Sequence, residues 1–176
     1  MKSYCLLFIS LFFTTSLISQ IQKIEFISKG ETISGYMYQA PNENKKPTLI
    51  WLYGNPGVKE TGNSQFAREL NNLGINVLRF NYRGTWETKG LFNLTNSLED
   101  LIKAMDFVTN DVNIEKFNID SNNISVGGIS WGSTVSLVGA IYDKRIKNVI
   151  CLALCDHSYF GKEFMFTLTK IYLENL

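Results

Sequence analysis

The sequence predicts an α/β protein, a three-layer α/β/α sandwich built on a mainly parallel central sheet. Three observations predict it. Strand-like and helix-like segments alternate along the chain, which is the pattern of βαβ units. Two strand-like segments, TLIWLY at 48–53 and VICLALC at 149–155, are near-continuous apolar runs, as in strands covered on both faces. The composition, 45% hydrophobic and 19% charged over 176 residues, supplies a core of matching size.

Each element has its own local reason. Residues 21–27 and 32–39 read as two strands around a turn at Lys29-Gly30. Pro47 opens a third strand over 48–53. Phe66, Leu70 and Leu73 recur at helical spacing within 64–73, and Gly74 is a stop signal. Residues 75–80 (INVLRF) form the next strand. The helix over 96–108 puts Leu98, Leu101, Ile102, Met105 and Val108 on one face, with Asn96 as its cap and Glu99 as the reciprocal partner. A strand at 123–127, a helix at 130–142 and a strand at 147–154 complete the pattern.

The first residues do not belong to it. One positive charge at Lys2 precedes an apolar run over 4–18, and no Asp, Glu or Arg occurs before Glu25. This reads as a signal peptide over residues 1–19, cleaved near Ser19–Gln20, and so predicts export to the periplasm or the exterior. The alternative is an uncleaved membrane anchor, for which the run is short and carries several Ser and Thr. Residues 20–176 then read as the N-terminal part of one domain, with sixteen basic and sixteen acidic residues. That balance gives no electrostatic case for a nucleic-acid partner, and no membrane partner is expected after cleavage. Cys151 and Cys155, four apart on a strand, would lie about 13 Å apart, beyond disulfide reach. Without nearby His they make a poor metal site, so they read as buried apolar residues. No cofactor is implied.

The chemistry lies where such sheets carry it, at the carboxyl ends of the strands. Gly128-Ile129-Ser130-Trp131-Gly132 is a G-x-S-x-G sequence between a strand and a helix. A serine at so sharp a turn sits in strained backbone, and only small residues two before and two after it avoid collision. The helix N-terminus then sets positive dipole and N–H groups beside the hydroxyl. Tyr53-Gly54-Asn55-Pro56-Gly57 follows the apolar strand at 48–53. By composition it is also an ordinary turn, but its place before the elbow suits a backbone donor for an oxyanion. Asn81-Tyr82-Arg83-Gly84-Thr85-Trp86 leaves the strand at 75–80 at the same edge. Arg83 is expected to fix this loop by pairing with Glu99 or Asp100.

The ordered set LYGNPG, RFNYRGTW, SLEDLIKAMDFV and GISWGS resembles the α/β-hydrolase superfamily, in its prolyl-oligopeptidase-like and esterase-like branch, over roughly residues 24–155. The resemblance implies a Ser–His–acid triad, with Ser130 as nucleophile and the Asn55 and Trp131 amides as the oxyanion hole. Its substrate would be a small-molecule ester or a peptide-like acyl compound. Tyr53 stands where the family usually has a loop-stabilising His. Gly-Asn-Pro with a Trp after the nucleophile is also similar to haloalkane dehalogenases, but these use Asp where Ser130 stands.

The base is harder to find. Only 46 residues follow Ser130, and His157 is the single histidine. His157 and its neighbour Asp156 would point in opposite directions on extended chain, so together they do not make a base and its acid. Asp156 alone is a candidate acid. The apolar run 149–155 reads as an interior strand, and 162–176 as the first helix of a lid. The sequence is therefore expected to be a partial chain, a fold incomplete after its sixth strand that lacks the catalytic His and acid and is inactive alone. The competing expectation is a non-catalytic binding protein or pseudoenzyme of the same fold.

Overall fold

The computed structural model describes residues 20–41, 43–55 and 58–154. The segments 1–19 and 162–176, with Cys155, Asp156 and His157, lie outside the described residues.

Six strands form one sheet: β1 (Gln20–Ser28), β2 (Glu31–Gln39), β3 (Lys46–Leu52), β4 (Asn76–Phe80), β5 (Ile119–Ile129) and β6 (Asn148–Leu152). Their order is β1-β2-β4-β3-β5-β6. β1, β2 and β4 pair antiparallel, and β4, β3, β5 and β6 run parallel. The crossovers carry α1 (Gln65–Asn72), α2 (Leu94–Val108), α3 (Asp111–Phe117) and α4 (Trp131–Tyr142).

β3 shows why the sheet is covered on both sides. Ile50 and Leu52 enter the main core with Leu78, Phe80, Val126, Leu101, Met105 and Val135, the face of α2 and α4. Leu49 and Trp51 face the other way and pack with Tyr38, Val77 and Ala67 of α1. An alternating strand cannot fill two layers unless both of its faces are apolar, and TLIWLY meets that condition. The register of β3 on β5 shifts between Lys46 and Thr48, where Pro47 has no N–H to give to the ladder.

The structure corrects two boundaries and adds one helix. Asn93, not Asn96, caps α2, its side chain accepting the Asn96 N–H at 2.8 Å. The helix starts earlier because Leu94 is buried against the core. Glu99 is accordingly no capping partner and instead pairs with Arg83 and Lys29. The short α3 carries too few apolar residues for a periodic signal, yet Phe117 anchors it in the core. β5 begins four residues before the strand expected at 123–127. Among the described residues β6 is the edge strand on the side opposite β1, with Ile150 44% and Leu152 48% exposed. Cys151 is a half-buried free thiol whose pKa burial pushes up.

Candidate active site

Because β3, β4, β5 and β6 are parallel, their carboxyl ends and the loops that leave them share one edge. Ser130 stands there, between the last residue of β5 and the first of α4. Its backbone has φ 54° and ψ −115°. For a residue with a Cβ this is a strained conformation, held only when the surroundings over-determine it.

The surroundings do so. A Cβ on Gly128 would lie 2.5 Å from the Gly132 carbonyl carbon, and one on Gly132 would lie 2.4 Å from the Leu52 oxygen. β5, β3 and α4 thus meet at van der Waals limit, which is why glycines flank the serine. The Ser130 N–H donates to the Leu152 carbonyl of β6 at 2.9 Å, and its carbonyl accepts the Ser133 N–H at 3.0 Å. Its side chain does not cap α4.

Ser133 is a positioning residue that sequence reasoning missed. Its hydroxyl oxygen lies 2.6 Å from the Gly128 carbonyl and 2.7 Å from the Leu152 carbonyl, and it accepts the Leu152 N–H at 3.0 Å. It stitches the elbow to β6. The one signal in the sequence is a small polar residue one helical turn after the nucleophile, which composition alone does not distinguish.

The loop after β3 reaches the elbow from the other side. A Cβ on Gly54 would be 3.5 Å from the Ser130 Cβ and 3.4 Å from the Ile129 carbonyl oxygen. Asn55 follows, exposed at the sheet edge; Pro56 and Gly57 lie outside the described residues. Trp131 is fixed by its indole N–H donating to Ser97 Oγ at 3.1 Å and by its ring against Phe92, centroids 5.0 Å apart. Ser130, Trp131 and the Gly54-Asn55 turn are therefore brought together; Asp156 lies outside the described residues.

The loop after β4 is held by Arg83. Its Nε donates to Asp100 Oδ1 at 2.6 Å, its backbone N–H to Asp100 Oδ2 at 2.8 Å, and its Nη2 to Glu99 Oε2 at 2.7 Å and the Asn96 carbonyl at 2.9 Å. With both oxygens accepting, Asp100 is the ionised partner. Burial pushes its pKa up, while the Arg83 donors pull it down. Arg83 is therefore a strut between loop and α2, as its position predicted.

Among the described residues no group of three or more His, Cys, Asp or Glu could hold a metal ion, and no helix is long and apolar enough to cross a membrane.

No protein-family model matches the chain. The chain is 32% identical over 124 residues to acylamino-acid-releasing enzyme 2 of Oryza sativa subsp. japonica, covering 62% of this chain and 15% of that protein. It is 28% identical over 136 residues to a thiohydrolase of Eupenicillium brefeldianum, covering 76% of this chain and 42% of that one. The chain thus spans less than half the length of these curated relatives. Among solved structures, the α/β hydrolase GrgF from Penicillium sp. sh18 superposes with a TM-score of 0.65 at 24% identity, over 75% of this chain and 45% of that one. A mainly parallel sheet with a strained serine at the end of β5, seen beside these likenesses, leads to one conclusion: the chain has the α/β-hydrolase fold and resembles esterase-like hydrolases of that superfamily over most of its length.

Proposed function

We propose that this chain carries the nucleophile and oxyanion hole of a serine hydrolase that cleaves an ester or peptide-like acyl bond of a small-molecule substrate. Ser130 Oγ attacks the acyl carbon and passes its proton to a general base. The N–H groups of Trp131 and Asn55 stabilise the oxyanion, and the leaving group departs with the proton. Water then releases the acyl group by the same steps. The carrying observation is the backbone of Ser130, at φ 54° on a strand-to-helix turn, with Gly54 packed against it. The thiohydrolase and acylamino-acid-releasing relatives support hydrolysis as the reaction class.

The base and its acid come from outside the described residues; Asp156 is the one candidate acid named by the sequence. The leader-like residues 1–19 support export. A fluorophosphonate probe applied to the protein expressed from its whole gene tests the proposal. Labelling that Ser130→Ala abolishes is the expected result, and labelling that survives this substitution refutes it.

The single histidine favours a second reading, a non-catalytic binding protein of the same fold. It predicts no fluorophosphonate labelling at all. For the 176-residue chain alone, p-nitrophenyl ester turnover is expected to be negligible; turnover lost in His157→Ala would show that the chain carries its own base.

A further inference from the structure

One buried carboxylate holds the β3 loop from both of its ends. The Glu60 side chain is 1% exposed. Its Oε1 accepts the Tyr38 hydroxyl at 2.6 Å and the Gly62 N–H at 2.7 Å. Its Oε2 accepts the Tyr53 hydroxyl at 2.6 Å and lies 3.1 Å from Arg79 Nε. That last contact is electrostatic, since Arg79 Nε is off the line of a hydrogen bond. The Arg79 guanidinium also lies over the Tyr53 ring, 4.1 Å from its centroid. The Glu60 backbone N–H is tied in turn to Asn81 Oδ1 at 2.9 Å.

An ion pair this deep adds little to stability over an apolar filling of the same shape, because desolvation offsets the attraction. A carboxylate bonded from so many directions does fix position. Tyr38 and Arg79 belong to β2 and β4, so Glu60 is referenced to the rigid sheet. Tyr53 immediately precedes Gly54, whose Cβ position is 3.5 Å from that of Ser130. Displacement of Tyr53 is therefore passed directly to the Gly54-Asn55 turn.

We infer that Glu60, acting through the Tyr53 hydroxyl, is the positioning group that presets the Asn55 amide against Ser130. The inference rests on the proposed nucleophilic role of Ser130. A preset donor acts where charge develops, so its loss falls on transition-state binding and spares ground-state binding.

The test uses the protein expressed from its whole gene, with Tyr53→Phe, Glu60→Gln and, as a destabilised control, Val108→Ala in the α2 core. Two probes are compared, an alkyl trifluoromethyl ketone that Ser130 converts to a hemiketal oxyanion, and the matched methyl ketone that binds without addition. Tyr53→Phe and Glu60→Gln are expected to weaken the trifluoromethyl ketone about tenfold or more and the methyl ketone by less than about twofold. Amide exchange of the peptide 53–60 should quicken in Tyr53→Phe. Val108→Ala should lower the melting temperature and leave the affinity ratio unchanged. Equal weakening of both ketones, or an unchanged trifluoromethyl ketone, overturns the positioning role. Trifluoromethyl ketone affinity that survives Ser130→Ala instead overturns the nucleophilic reading, and the inference falls with it.

Discussion

Replacing Gly132 with alanine tests the tightest joint of the elbow. The added Cβ would stand 2.4 Å from the Leu52 oxygen, 2.6 Å from the Tyr53 oxygen and 2.7 Å from the Leu52 carbonyl carbon. Comfortable contact needs about 3.5 Å, so β3 and α4 must separate by roughly 1 Å. All three opposing atoms are backbone and cannot rotate away. Overpacking of this kind costs about 1–3 kcal/mol, and the rigid neighbours put Gly132→Ala near the top of that range. For a domain of this size about 3 kcal/mol lowers the melting temperature by about 6–12 °C. Gly139→Ala is the matched comparison in the same helix. Its Cβ would also find an atom at 2.4 Å, but that atom is Leu101 Cδ2, the end of a side chain that can turn. Helix propensity favours alanine there by up to about 1 kcal/mol, so Gly139→Ala should change stability by less than about 1 kcal/mol. Urea unfolding followed by circular dichroism measures both. Unfolding free energies for the two variants that differ by less than about 0.5 kcal/mol would refute the claim that backbone contact, and not mere crowding, is what requires Gly132.

Three further outcomes follow from the same structure. Ser130→Gly removes the strain of a positive φ and should raise stability by about 1 kcal/mol in urea unfolding relative to Ser130→Ala, which keeps the Cβ and its strain. Asp100→Asn leaves the Arg83 guanidinium without its buried counter-charge and should cost about 3 kcal/mol; in contrast, Lys45→Ala, which breaks an exposed pair with Glu115, should cost less than about 0.5 kcal/mol. Burial raises the pKa values of Tyr38, Tyr53 and Tyr82, with the hydrogen bond to Glu60 adding to the first two. Their stabilising contribution is complete below the unfolded value of about 10 and is lost as pH rises above it. Absorbance at 295 nm should therefore show these tyrosines ionising together with unfolding; their ionisation in the folded protein would contradict the assignment.

What could be read from the sequence was whatever depends on neighbours along the chain. TLIWLY announces a strand covered on both faces because the alternation of side chains is a property of the strand itself. The G-x-S-x-G elbow is legible because small residues two before and two after the serine mark a sharp strand-to-helix turn, although the Leu52 and Tyr53 backbone that crowds Gly132 is remote in sequence. The Arg83 pairing with α2 was legible from a loop that must be fixed and two carboxylates on the next helix. Helix boundaries were less so: Asn93 wins over Asn96 because Leu94 finds room in a core that only the packed layers create.

The sequence by itself determined the class of fold, the strand order along the chain and the serine that stands at the end of β5. Tertiary structure alone decided how that serine is held. Ser133 bonds to Leu152, nineteen residues away; Glu60 gathers Tyr38 of β2 and Tyr53 of the loop after β3, and β2 and β3 are not neighbours in the sheet. Such contacts depend on distances between segments remote in sequence, and no local pattern encodes them. The physical reason is that a carboxylate or hydroxyl can be satisfied in many ways, and only the closed sheet selects the partners that surround it.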